Sequence, residues 1–126
     1  MPVIRLGNIG GIGAVSSITA TVTKVVINNV QVYPGGGSIE LEPNKTMTIK
    51  VTYTASAPGA GILDSWYIGI VCTMGSQVGW DPTRHTGSGP VTNTAEIGNL
   101  TSPTTNQTLN INGYGIVGSY SVAPPM

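Results

Sequence analysis

The chain has 126 residues, enough for one domain with a core of its own. Charged residues make up 8% of it and balance to zero, against about a quarter in ordinary soluble domains, so the surface must be built from hydroxyls, amides and backbone. The five basic residues, Arg5, Lys24, Lys45, Lys50 and Arg84, are scattered, which argues against a nucleic-acid partner because phosphate neutralisation needs clustered cations.

The first element is "LGNIGGIGAV", residues 6–15, glycine-rich and uncharged. It fails as a dinucleotide fingerprint, since the position after Gly11 and Gly13 that needs a third glycine is Ser16, and no helix follows. No cleaved leader is expected either, because glycines interrupt the apolar stretch and its basic region is Arg5 alone. Residues 1–16 read as an extended glycine-rich apolar arm that packs on a neighbouring subunit. Val3, Ile4, Leu6, Ile9, Ile12 and Val15 are its buried contacts, each worth about 1.5–3 kcal/mol.

From Ser17 onward the apolar period is two, the mark of half-buried strands. "SITATVTKVVINN" places Ile18, Ala20 and Val22 on one face and then Val25 and Ile27 on the other, so a bulge or a change of sheet is expected near Lys24. Asn28-Asn29 and "YPGGG" are turns. "TMTIKVTYTA" sets Met47, Ile49, Val51, Tyr53 and Ala55 inward against Thr46, Thr48, Lys50, Thr52 and Thr54 outward. "SWYIGIVCTM" sets Trp66, Ile68, Ile70, Cys72 and Met74 inward. Shorter strands are expected in "SIELE", "VTNTAEI", "QTLNINGYGIV" and "SYSV".

No helical period occurs. The pattern predicts an all-β chain, a single Greek-key β-sandwich of about seven strands spanning 17–126 with a short proline-rich C-terminal tail. "LEPNKTMTIKVTYTA", the Trp-bearing strand after it and "TLNINGYGI" resemble the immunoglobulin-like and fibronectin-type modules of microbial surface and virion proteins. The resemblance implies a binding or spacer module.

Among candidate sites, "GWDPTRHTGSG", residues 79–89, gathers Trp80, Asp81, Arg84 and His85. It reads first as a turn opened by Asp81-Pro82, with Asp81 accepting backbone N–H bonds and Arg84 pairing with it; the alternative is a binding loop in which the indole offers a flat apolar face and the polar groups bond a glycan or peptide. Asp81, His85 and Ser88 are the residue types of a hydrolase triad, but so short a stretch can hardly orient all three, and no enzyme is expected. One cysteine and one histidine cannot build a zinc site and no Asp-rich loop has calcium-binding spacing, so no metal or cofactor is expected, the alternative being a calcium ion held by Asp64 or Asp81 with backbone carbonyls. Asn44, Asn99 and Asn106 head N-glycosylation sequons in expected loops. No apolar run is long enough to span a bilayer. The resulting expectation is a non-enzymatic structural subunit of a virion or cell-surface assembly, such as a capsid decoration or tail protein, that packs on copies of itself or on another subunit through its arm and sandwich surfaces. A small carbohydrate- or peptide-binding module using residues 79–89 is the alternative.

Overall fold

A computed structural model describes residues 1–13, 18–57 and 65–117, without the side chains of residues 8–13, 114, 116 and 117. Among these residues nine strands form: β1 (Val3–Gly13), β2 (Thr19–Ile27), β3 (Val30–Tyr33), β4 (Ser38–Glu40), β5 (Thr46–Ser56), β6 (Ser65–Met74), β7 (Gln77–Thr86), β8 (Val91–Thr101) and β9 (Gln107–Val117). They make a five-stranded sheet in the order β4-β1-β9-β6-β7 and a four-stranded sheet in the order β3-β2-β5-β8. The two sheets pack face to face as a β-sandwich.

The core is the set of residues the alternation points inward. Met47, Ile49, Val51, Tyr53 and Ala55 from β5 meet Trp66, Ile68, Ile70, Cys72 and Met74 from β6, all buried. Lys50, Thr52 and Thr54 fall on the other face of β5. In β2 the change of phase at Lys24 is a bulge: the register shifts between Val22 and Lys24, so that Val22 stands opposite Tyr53 and Val25 opposite Val51. The extra residue lets Val22, Val25 and Ile27 all enter the core. Asn28 and Asn29, with φ of 47° and 69°, make the tight hairpin turn into β3.

Residues 3–13 differ from the expected arm. They form an inner strand of the protein's own sandwich, antiparallel to β4 and parallel to β9. Ile4 is 1% exposed in the core and Leu6 packs against it. The reason lies in the spacing of Leu6, Ile9 and Ile12. Three-residue steps fit neither a regular strand nor a helix, yet two register shifts bring Leu6, Ile9 and Ile12 opposite Leu109, Ile111 and Gly113, which are two residues apart. Gly7 makes the close approach possible, since a Cβ there would collide with Asn110 Oδ1 and Thr108 Cγ2. Val15 and the tail 118–126 lie outside the described residues.

Candidate functional site

Residues 79–89, expected as a loop, are mostly β7, paired residue for residue with β6 from Gln77 opposite Met74 to Thr86 opposite Ser65. A strand sends alternate side chains to opposite faces, and this divides the four candidate residues. Asp81 and His85 stand opposite Ile70 and Trp66 on the inner face, while Trp80 and Arg84 stand opposite Val71 and Tyr67 on the outer face.

The inner pair does structural work at the edge of the core. Asn93 Nδ2 donates to the Tyr53 hydroxyl oxygen at 3.1 Å and to Thr83 Oγ1 at 3.2 Å. The Tyr53 hydroxyl and His85 Nε2 share a hydrogen bond of 2.7 Å, whose direction follows the imidazole tautomer. The ring lies 4.9 Å from that of Trp66 and edge-on to Tyr53. Burial pushes the His85 pKa below its ordinary value. Burial likewise raises that of Tyr53, against the opposing effect of the bonds to Asn93 and Thr83. Trp66 satisfies its own N–H on Gly87 O at 2.8 Å.

Asp81 belongs to a second set of bonds. β7 and β8 are the edge strands of opposite sheets, and side chains stitch them together. Glu96 N donates to Asp81 Oδ2 at 3.0 Å. Gln77 exchanges two bonds of 2.8 Å with the Thr101 backbone, and Asn99 Nδ2 donates to Val78 O at 3.2 Å. The missing side chain of Gly79 permits this approach, because a Cβ there would strike Ile97 Cγ2 and Asn99 Oδ1. Polar residues that resemble a recognition loop are therefore largely the seam of the sandwich.

No triad forms from Asp81, His85 and Ser88. Four residues of strand separate Asp81 from His85 by about 13 Å, and each has a different partner. Among the described residues no group of three His, Cys, Asp or Glu side chains could hold a metal ion, and Asp64 lies outside them. Burial pushes the Cys72 thiol up to about 12, so it is held as an inert thiol in the core.

On the outer face, half-buried Tyr67 stands opposite exposed Arg84, and four residues along β7 half-buried Trp80 stands opposite Val71, 3% exposed, whose other cross-strand neighbour is Asn112. The sequons diverge. Asn44 is exposed in a turn with φ of 61° and Asn106 is exposed before β9, whereas Asn99 lies within β8 with its amide nitrogen engaged on Val78.

The opposite face of the molecule, on the four-stranded sheet, is paved with hydroxyls. Thr21, Thr54 and Thr92 form one row across β2, β5 and β8, Thr52 and Thr94 belong to the next, and Thr19 faces Ser56. Hydroxyls bond across strands at 3.0 Å (Thr19 to Ser56), 2.9 Å (Thr52 to Thr94) and 3.4 Å (Thr54 to Thr92). Lys24 stands opposite Thr52 in that second row, and Lys50 and Glu96 form the row beyond it. The alternation of threonines in β5 signals this face in the sequence, but the rows exist only once β2 and β8 are set beside it. No known protein family, curated protein or solved structure matches the chain, and its functional reading rests on this geometry.

Proposed function

We propose that the chain is a non-enzymatic structural subunit of a virion or cell-surface assembly, an immunoglobulin-like Greek-key module that joins copies of itself through the threonine face. The Greek-key reading is supported by the way the chain alternates between sheets, from β5 to β6, from β7 to β8 and from β8 to β9. The observation that carries the functional reading is the hydroxyl area formed by Thr19, Thr21, Thr52, Thr54, Ser56, Thr92 and Thr94, with Lys24, opposite Thr52, the one charged residue in its rows. Cores of protein interfaces are depleted of charge, and burying hydroxyls that already bond one another costs far less than burying unpaired polar groups. A hydroxyl both donates and accepts, so such a face is complementary to a second copy of itself.

Joining by faces also agrees with the state of the edges. β7 and β8 are stitched to each other. The remaining edge strands, β3 and β4, have four and three residues and are linked by a single turn. Short or covered edges discourage strand addition.

Exposed Thr21 and Thr92 flank Thr54, which makes the double replacement Thr21→Lys, Thr92→Lys the direct test. The variant is expected to melt within a few degrees of the parent yet lose self-association in sedimentation velocity; unchanged association would refute the reading. A glycan- or peptide-binding module is the second reading, favoured by Trp80, Tyr67 and Arg84 on the opposite face. In the same experiment Trp80→Ala leaves association unchanged under the first reading and removes ligand capture under the second.

A further inference from the structure

A cavity of about 610 Å³ opens beside the start of β1, lined by Val3, Arg5, Gly75, Asn106, Gln107, Thr108 and Asn110. It holds a guanidinium with no carboxylate among the lining residues, together with three carboxamides and a hydroxyl, and Val3 is its one apolar side chain. We propose that this cavity binds a saccharide through a sugar residue that bears a carboxylate, a uronic acid or its equivalent. This site is separate from the threonine face, and neither proposal depends on the other.

The walls are fixed by the fold. Asn106 Oδ1 accepts from Val3 N at 2.9 Å, so the carboxamide is anchored by its oxygen and has its two N–H donors left to offer. Gln107 donates Nε2 to Thr105 Oγ1 at 3.3 Å, which leaves its Oε1 as an acceptor. Gly75, with φ of 59°, turns the chain between β6 and β7 without placing a side chain over that oxygen. Across the cavity, Arg5 stands opposite Thr108 in the parallel ladder, and the bare Gly7 gives Thr108 and Asn110 their places beside β1.

This donor and acceptor set decides the ligand class. A guanidinium with its planar fork matches a carboxylate, while carboxamides that offer donors on one side and an acceptor on another match the hydroxyls of a sugar ring. The volume falls within the roughly 300–1,000 Å³ of small-molecule sites and far exceeds the ~30 Å³ share of a water, so a simple anion would leave most of it filled by solvent. One cation is too few for a nucleic-acid backbone. A lipid or aromatic ligand would find no apolar wall beyond Val3.

The test is isothermal titration of the full chain with an oligosaccharide containing glucuronate, with a neutral glucose oligosaccharide of equal length, and with inorganic phosphate. The uronate oligosaccharide is expected to bind at least about tenfold more tightly than either of the others. Arg5 is exposed, and Arg5→Gln is expected to reduce uronate affinity about tenfold and to erase the preference over the neutral sugar. Asn106→Asp keeps the oxygen that accepts from Val3 N but removes the donors and adds a negative charge. It is expected to abolish uronate binding at an unchanged melting temperature, while Arg84→Gln leaves binding as it was. Equal affinity for the neutral sugar, phosphate binding as tightly as uronate, no binding of uronate, or full binding by the Asn106→Asp protein would each overturn the proposal.

Discussion

His85 combines a hydrogen bond to Tyr53 with a ring contact to Trp66, and both Tyr53 and Trp66 are fully buried. Desolvation lowers its pKa from the ordinary 6.5, so the unfolded chain takes up a proton at a pH where the folded chain still refuses it. Between those two values the unfolded state binds more protons, and linkage makes stability rise with pH there. The contribution is present above about 6.5 and is lost as pH falls from there through the lower folded value. The chain has one histidine, so no other imidazole shares the window. Denaturant titrations at several pH values are expected to show stability falling below neutrality. His85→Gln, whose amide can either donate to or accept from the Tyr53 hydroxyl, is expected to flatten that fall; an identical pH profile in the variant would contradict the assignment of the fall to His85.

At the scale of elements, the close contact between β7 and β8 depends on Gly79. Gly79→Val drives a side chain into Ile97 and Asn99, and the strain of overpacking is expected to cost about 1–3 kcal/mol. The control is Gly98→Ala, where a Cβ meets nothing within 4 Å; it is expected to stay within about 0.5 kcal/mol of the parent. Equal effects of the two substitutions in urea unfolding would remove the seam from the account. The same elements explain what the sequence made legible. β5 is readable because its burial alternates without a break from Met47 to Ala55, and β6 because its inward positions, Trp66, Ile68, Ile70, Cys72 and Met74, are all apolar, although Gly69 and Val71 between them are buried as well. β1 is not, because its two register shifts turn a two-residue period into a three-residue one and its glycines carry no side chain to mark a face. β7 was hidden differently. Its inner positions hold Gly79, Asp81, Thr83 and His85, polar because they meet the edge of another sheet, and its Pro82 is tolerated on an edge strand. Trp80, Asp81, Arg84 and His85 look like one site because they are near in sequence, and only the pleat reveals that two belong to each face.

For the molecule as a whole, a core of ordinary size sits inside a surface of unusual composition. The inner faces meet in a continuous apolar cluster from Ile4 to Ile111, and 8% charge overall leaves little electrostatic repulsion between copies. The sandwich presents a hydroxyl face on one sheet; the other sheet carries Trp80, Tyr67 and Arg84 on its outer face and, at the opposite end of β9 from Tyr67, the cavity at Arg5. A subunit that joins copies by one face keeps the other turned outward, and the uronate proposal places a ligand on that outward side. Association through neutral hydroxyls also has a distinctive physical signature, since salt screens charges and leaves such contacts nearly unaffected.

The most direct test of the central claim is the solution mass of the protein by sedimentation equilibrium over a wide range of concentration, at low and at high salt. An account in which copies join through the threonine face predicts masses that rise to a multiple of the 12.9 kDa chain and association that is nearly independent of salt. A mass of 12.9 kDa at every concentration, or an assembly that dissolves as salt is added, would contradict it.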